Sequence, residues 1–131
     1  MEDHKKQMDK MVLMITQIGD SICQTIDRDN PDEVLGKLQE LASLQGTASY
    51  CLAIAKQLHN SKIASLLVSG FYKDYNATDR KLIFLEVAKE EVFYLNLIER
   101  YVANISHSIE SLRSILSFKK HELEQSKYQT T

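Results

Sequence analysis

The chain has 131 residues, with 16 Lys and Arg against 18 Asp and Glu, a formal net charge of -2 and 44% hydrophobic residues. This length and composition fit a single globular domain, residues 1–131, with a buried core. The nearly neutral charge excludes a protein whose main task is coating duplex DNA. The charged N-terminal region is too polar for a signal peptide or a membrane span, so we expect a cytoplasmic protein.

The first predicted helix covers about residues 3–28. Its apolar residues recur at spacings of three and four, which places them on one helix face: Met8, Met11, Ile15, Ile18 and Ile22. We interpret the methionines as packing residues. Cys23 and Cys51 form no CxxC pair, and we interpret both as small buried side chains.

The segment Asp29-Asn30-Pro31 ends the first helix and begins the second. Asn30 is a suitable N-cap, Pro31 suits the first helical position, and Glu33 occupies the capping-box position. The second helix is predicted over about residues 31–68, and the short connection predicts an antiparallel hairpin with the first helix. Gly46 within this helix predicts close packing or a bend.

The segment from Gly70 to Asn76 breaks the helical period and holds the densest aromatic cluster of the chain. Aromatic faces stack on bases, while cations and the free amides of a helix N-terminus attract phosphate. We therefore predict a site for an anionic nucleotide at this turn, formed by Phe71, Tyr72, Lys73, Tyr75 and Arg80. The alternative is that Phe71 and Tyr72 only plug the end of the bundle.

One very long last helix is predicted over about residues 77–127. Its first half, from Leu82 to Ile98, is apolar on nearly every side, which predicts burial all round, either inside the bundle or at the centre of an oligomer. In its second half, between Glu99 and Glu124, the apolar residues narrow to a heptad seam, which predicts pairing with another copy or packing against the hairpin. The seam begins within the first half and consists of Leu95, Ile98, Val102, Ile105, Ile109, Leu112 and Leu116. Glu91 lies on the same seam, either as a buried carboxylate with a partner or as a point where the seam opens.

These elements predict an all-α fold. An antiparallel helical hairpin and one very long C-terminal helix would form a helical bundle or a coiled-coil oligomer. A stripe of polar residues runs beside the seam: Ser106, Glu110, Arg113, Ser117, Lys120 and Glu124. It is either a ladder of ion pairs or an anion-binding groove formed by His107, Arg113 and Lys120.

The sequence of this stripe also carries a resemblance. Ser106-His107-Ser108-Ile109-Glu110-Ser111-Leu112-Arg113-Ser114, followed by Ser117, is similar to the C-terminal signature of small helical proteins of bacteriophages and prophages. The general role of that family is unassigned. The resemblance implies a phage accessory protein in the host cytoplasm and names no ligand.

No P-loop, dinucleotide fingerprint, zinc-protease motif or nucleophile elbow occurs, and the four histidines are scattered. We therefore predict no enzyme, cofactor or metal site. We expect a non-enzymatic, homo-oligomeric phage protein that binds and sequesters an anionic nucleotide-type ligand as a counter-defence. The alternatives are an adaptor for a host or phage protein in recombination or replication, and a virion or assembly component. We expect no membrane partner and no strong binding of duplex nucleic acid.

Overall fold

A computed structural model describes residues 2–129, and the side chains of residues 3–127. This part of the chain is all-helical, which confirms the predicted class. It consists of α1 (Glu2–Cys23), α2 (Pro31–Ser69), a 3-10 turn (Phe71–Asp74), α3 (Ala77–Val87) and α4 (Lys89–Gln129). α2 runs antiparallel to both α1 and α4, so these three helices form an up-down-up bundle.

The hairpin of α1 and α2 has the predicted caps. The side chain of Asn30 accepts a hydrogen bond from the N–H of Asp32 at 3.0 Å, with Pro31 at the first helical position. Glu33 does not close a capping box with Asn30. Its Oε2 instead accepts a hydrogen bond from the N–H of Asp27 at 3.1 Å, which ties the connection to the start of α2.

α1 ends at Cys23, earlier than the predicted end at about residue 28. The carbonyl oxygen of Ser21 accepts a hydrogen bond from Lys37 Nζ of α2 at 2.6 Å. A helix leaves its last carbonyl groups without intrahelical donors, and here a side chain from the next helix supplies one. Residues 24–30 therefore form a non-helical connection, which we call the linker.

The heptad seam of α4 faces the hairpin of the same chain. Ile98 and Ile105 are 0% exposed, and the buried core also includes Met11, Ile15 and Leu58. Ile109 and Leu112 are buried as well, while Leu95, Val102 and Leu116 pack partly buried against this core. The seam is thus filled without a second copy, which is the second of its two predicted arrangements.

The predicted last helix is interrupted at Ala88. This residue has φ -99° and ψ 15°, and its N–H still donates to the carbonyl oxygen of Phe84 at 3.0 Å, so α3 closes there and α4 begins at Lys89. Ala88 is fully buried, so the chain turns at a small residue packed inside the structure. The prediction of one helix over residues 77–127 is therefore wrong at this point.

Among the glycines and cysteines of the bundle, Gly46 and Cys23 differ from the predictions. No side chain or neighbouring backbone approaches Gly46, so the predicted close packing is absent there. Gly19 is the closely packed glycine, because a Cβ at this position would lie 2.8 Å from the hydroxyl oxygen of Tyr101. Cys51 is buried as predicted, whereas Cys23 is exposed at the end of α1.

Candidate functional site

The aromatic turn between α2 and α3 is built by local capping. Gly70, with φ 72°, ends α2 in the left-handed conformation that glycine adopts without strain. The side chain of Asn76 then caps α3 by accepting a hydrogen bond from the N–H of Asp79 at 2.8 Å. The turn between these caps carries the aromatic side chains that were predicted to bind a ligand.

Arg80 holds this turn together. Its Nε donates to the carbonyl oxygen of Tyr75 at 2.6 Å, and its Nη2 donates to that of Lys73 at 3.1 Å. The guanidinium carbon also lies 5.4 Å from the centre of the Tyr72 ring, a cation–π distance. Tyr72 in turn packs on Phe84 at 5.8 Å between ring centres. The predicted residues of this turn lie together. Arg80 and Tyr72 contact each other, and Arg80 also borders an open cavity.

A shallow cavity of about 400 Å³ lies between α2 and α3, beside the aromatic turn. His59 of α2 and Arg80 and Lys81 of α3 supply its polar groups, while Phe84 and Leu85 are among its apolar walls. Phe71 and Tyr75 remain exposed next to it. Of the residues predicted to bind a nucleotide at this turn, Arg80 lines the cavity.

The polar stripe of α4 lies far from the aromatic turn. His107, Arg113 and Lys120 are all exposed. Gln45 of α2 donates to the hydroxyl of Ser106, beside His107, and α2 continues from there for 24 residues to Ser69 before the turn begins. At 1.5 Å per residue this is about 36 Å. The structure therefore does not bring the two halves of the predicted ligand site together within one chain.

Glu91 is a buried carboxylate with a partner, which was the first of its two interpretations. Its side chain is 5% exposed, and its Oε1 lies 3.0 Å from Nε2 of His4. His4 belongs to the first turn of α1, so this contact joins the N-terminus of α1 to the start of α4. Sequence reasoning missed His4, because no local pattern pairs residues so far apart in the chain.

A second cavity, of about 250 Å³, lies beneath the linker. We call it the linker cavity. Its walls come from all three helices of the bundle and from the linker. They combine apolar side chains with six polar ones: Gln24, Thr25, Arg28, Lys37, Ser108 and Ser111. Ser108 and Ser111 belong to the segment with the phage resemblance and line this cavity, and Ser111 is exposed, as are His107 and Arg113.

A sequence signal for this cavity was available at Lys37. The apolar stripe of α2 contains Val34, Leu41 and Ala48 at spacings that place residue 37 on the same buried face. A lysine there is 8% exposed, and such a position needs a partner for its charge. It finds two, because Lys37 Nζ donates to the carbonyl of Ser21 and lies 3.5 Å from Glu40.

The strongest surface feature is apolar. Eight large apolar side chains between residues 67 and 93 are exposed, and together they form what we call the apolar end: Leu67, Val68, Phe71, Tyr75, Leu82, Leu85, Val87 and Phe93. They lie on the last turn of α2, the 3-10 turn, α3 and the start of α4. No residue of α3 is buried, although this region was predicted to be buried on all sides. The structure of one chain therefore leaves this region uncovered.

Comparisons with known proteins add no functional assignment. No protein-family model, no curated protein and no solved structure matches the chain. Among the described residues, no three His, Cys, Asp or Glu side chains lie close enough to bind a metal ion together. None of the helices described combines the length and the apolar content needed to cross a bilayer.

Proposed function

We propose that this protein is a non-enzymatic helical protein that acts by association, and that its copies join through the apolar end. The observation that carries the proposal is α3, where Leu82 is 60% exposed and Leu85 is 51% exposed on the same helix face. Exposed apolar patches of this kind mark association surfaces in soluble proteins. Self-association was predicted for both halves of the last helix, and the proposal assigns it to α3 in the first half rather than to the heptad seam.

The short length of α3 supports this proposal. α3 has 11 residues, and isolated helices shorter than about 12 to 15 residues are marginal in water, so α3 needs packing partners. No side chain of α3 is buried, so the rest of the chain supplies few of these packing partners. A second copy laid antiparallel, with Leu82 opposite its Leu85, would cover both side chains in each copy. In this arrangement, the end of α3 that carries Lys81 lies beside the end of the second copy's α3 that carries Glu86.

The total surface supports it as well. The chain has a mass of 15.0 kDa, and a compact monomer of that mass exposes about 7,000 Å². This chain exposes 9371 Å². The chain exposes more surface than a compact monomer because its three long helices form a thin bundle. Burial of apolar surface between copies would remove part of this additional area from water.

The test compares two leucines of equal exposure. Leu82→Asp places a charge in the apolar end, and Leu13→Asp places one on the outer face of α1, where Leu13 is 59% exposed. Light scattering of the native chain at about 100 µM should report a dimer or a larger species. This concentration is high enough to detect association with a micromolar dissociation constant. Leu82→Asp should reduce the mass to that of one chain, and Leu13→Asp should not. A native monomer, or an equal effect of both variants, would contradict the proposal.

Nucleotide binding is the second candidate function, and the cavity between α2 and α3 favours it. His59 and Lys81 line this cavity beside Phe84, so a basic group and an aromatic face lie together. In this proposal the phage protein sequesters an anionic nucleotide in the host cytoplasm. Calorimetry with cyclic and ADP-ribose-type nucleotides should show stoichiometric binding without turnover, weakened by Lys81→Ala and unaffected by Lys62→Ala. Absence of heat at tens of micromolar would count against it.

Two further experiments test whether the chain associates with other proteins instead of with a second copy. If the apolar end serves as an adaptor, native protein should capture a host or phage protein from infected cells, and Leu82→Asp should not. If the protein is a virion or assembly component, mass spectrometry should find it in purified particles. A native dimer without captured partners, and particles without the protein, would leave self-association as the role of the apolar end.

A further inference from the structure

The linker cavity has the composition of a binding site for a small organic anion. Its apolar lining includes Ile22 of α1, Leu41 of α2 and Leu112 of α4. Its polar lining includes two cations, Arg28 and Lys37, and the hydroxyls of Ser111 and of Ser108, which donates to Asn104 Oδ1 at 3.2 Å. Ligand sites in proteins commonly combine such an apolar body with a few convergent polar groups.

The charges that line the cavity have one sign. Two of its lining residues are cations and none is Asp or Glu, among the residues the structure describes. Glu40 lies 3.5 Å from Lys37 Nζ and outside the lining, and Asp29 and Glu122 line the neighbouring groove that Arg28 also borders. An ammonium group has three N–H donors, so Lys37 retains capacity beyond its contacts with Ser21 and Glu40.

Arg28 is the less engaged of the two cations. Within the described part of the chain its guanidinium makes no hydrogen bond or ion pair with a protein group, and it borders both the linker cavity and the groove beside Lys119. The Nζ of Lys119 donates to the carbonyl oxygen of Asp29 at 2.8 Å, which anchors the linker next to Arg28. A guanidinium presents paired N–H donors that match the two oxygens of a carboxylate.

We propose that the linker cavity binds a small carboxylate with an apolar body, with the carboxylate on Arg28 and Lys37 and the body on Ile22, Leu41 and Leu112. The volume limits the ligand, because pockets for drug-sized molecules occupy about 300 to 1,000 Å³ and this one is smaller. A whole nucleotide therefore does not fit inside it. The proposal is independent of self-association, since the apolar end lies at the opposite end of the bundle.

Three probes separate the contributions of charge and apolar body. Benzoate carries both, benzyl alcohol carries the body alone, and inorganic phosphate carries the charge alone. Amide NMR titration of the native chain should show benzoate binding with a dissociation constant on the order of 1 mM or tighter. The shifts should centre on the linker and on Ser108 and Ser111. Benzyl alcohol and phosphate should each bind at least about tenfold more weakly, because a charged hydrogen bond and apolar burial are both required.

Arg28→Gln is the test variant, and Arg100→Gln on the exposed surface of α4 is its matched control. Arg28 is exposed in the linker, so both variants should keep the circular dichroism of the native chain. Arg28→Gln should weaken benzoate binding about tenfold or more, and Arg100→Gln should leave it unchanged. Any one of three results would overturn the proposal: no benzoate shifts in the native chain, equal binding by the two variants, or shifts centred elsewhere.

Discussion

The bundle and the apolar end contain similar residues in different surroundings. Around Ile105, apolar side chains of α4 meet those of α1 and α2, and the helix is buried along one whole face. In α3 the run Leu82-Ile83-Phe84-Leu85 is at least as apolar, yet none of its residues is buried. The difference shows that apolar content alone does not decide burial. The number of neighbouring helices at each level of the structure decides it.

Polar groups follow the same division. In the bundle, the two buried charged residues, Lys37 and Glu91, each have a partner. No buried side-chain nitrogen or oxygen among the described residues lacks a hydrogen-bond partner. At the apolar end, the ion pair of Lys89 with Glu86 at 2.8 Å is solvent-exposed. Exposed pairs contribute little to stability, so this end depends on covering its apolar surface.

The largest effect is expected from a charge in the centre of the bundle. Ile105 is 0% exposed, so Ile105→Asp should cost about 4 kcal/mol or more and abolish the cooperative thermal transition followed by circular dichroism. Ile105→Val should cost only about 1 kcal/mol. If Ile105→Asp stays folded and only its mass in solution falls, the seam joins copies, and our account of the bundle is wrong.

The next effect is a loss of stability at alkaline pH caused by Cys51. Burial raises the pKa of the Cys51 thiol from its ordinary value of 9.0 to about 11. The folded state therefore favours the protonated thiol, and its stability is complete below pH 9 and decreases as the pH rises toward 11. Full ionisation of this thiol should therefore lower the free energy of unfolding by about 2 to 3 kcal/mol.

Urea denaturation at several pH values measures this effect. Cys51→Ala should show a smaller decrease in the free energy of unfolding over this range, while exposed Cys23→Ala should retain the decrease of the native chain. Equal profiles for the native chain and Cys51→Ala would show that the thiol does not titrate in the bundle.

A smaller effect is expected where the bundle meets the apolar end. His4→Ala removes the partner of Glu91 and should destabilise the chain by about 1 to 2 kcal/mol, because a buried carboxylate loses a hydrogen bond. Exposed His107→Ala should change stability by less than about 0.5 kcal/mol. Both values follow from denaturant midpoints, and equal midpoints would mean that solvent replaces His4 without cost.

The smallest effect tests the comparison directly by amide hydrogen exchange. Amides of α3 should exchange roughly tenfold more slowly when protein concentration rises well above the dissociation constant of self-association. Amides near Ile105 should show no such dependence, since the bundle is complete in one chain. Concentration-independent exchange in α3 would indicate that the apolar end stays uncovered in solution.

Local signals in the sequence determined most of the secondary structure. Asn30, Pro31, Gly70 and Asn76 mark the helix ends because each acts on backbone groups within a few residues of itself. The spacing of Met8, Met11 and Ile15 on α1, and the seam of α4, determined which faces are apolar. The failures, at the end of α1 and at Ala88, lie where a distant side chain or buried packing competes with helix continuation.

Only the tertiary structure decided what those faces and charges contact. Lys37 reaches the end of α1, His4 reaches Glu91, and Arg80 bonds the aromatic turn, all through contacts without a periodic signal in the sequence. The linker cavity exists because Arg28, Lys37 and Ser111 come from separate parts of the chain. A periodic pattern shows that a face will be buried, but the identity of its partner depends on the packing of the whole chain.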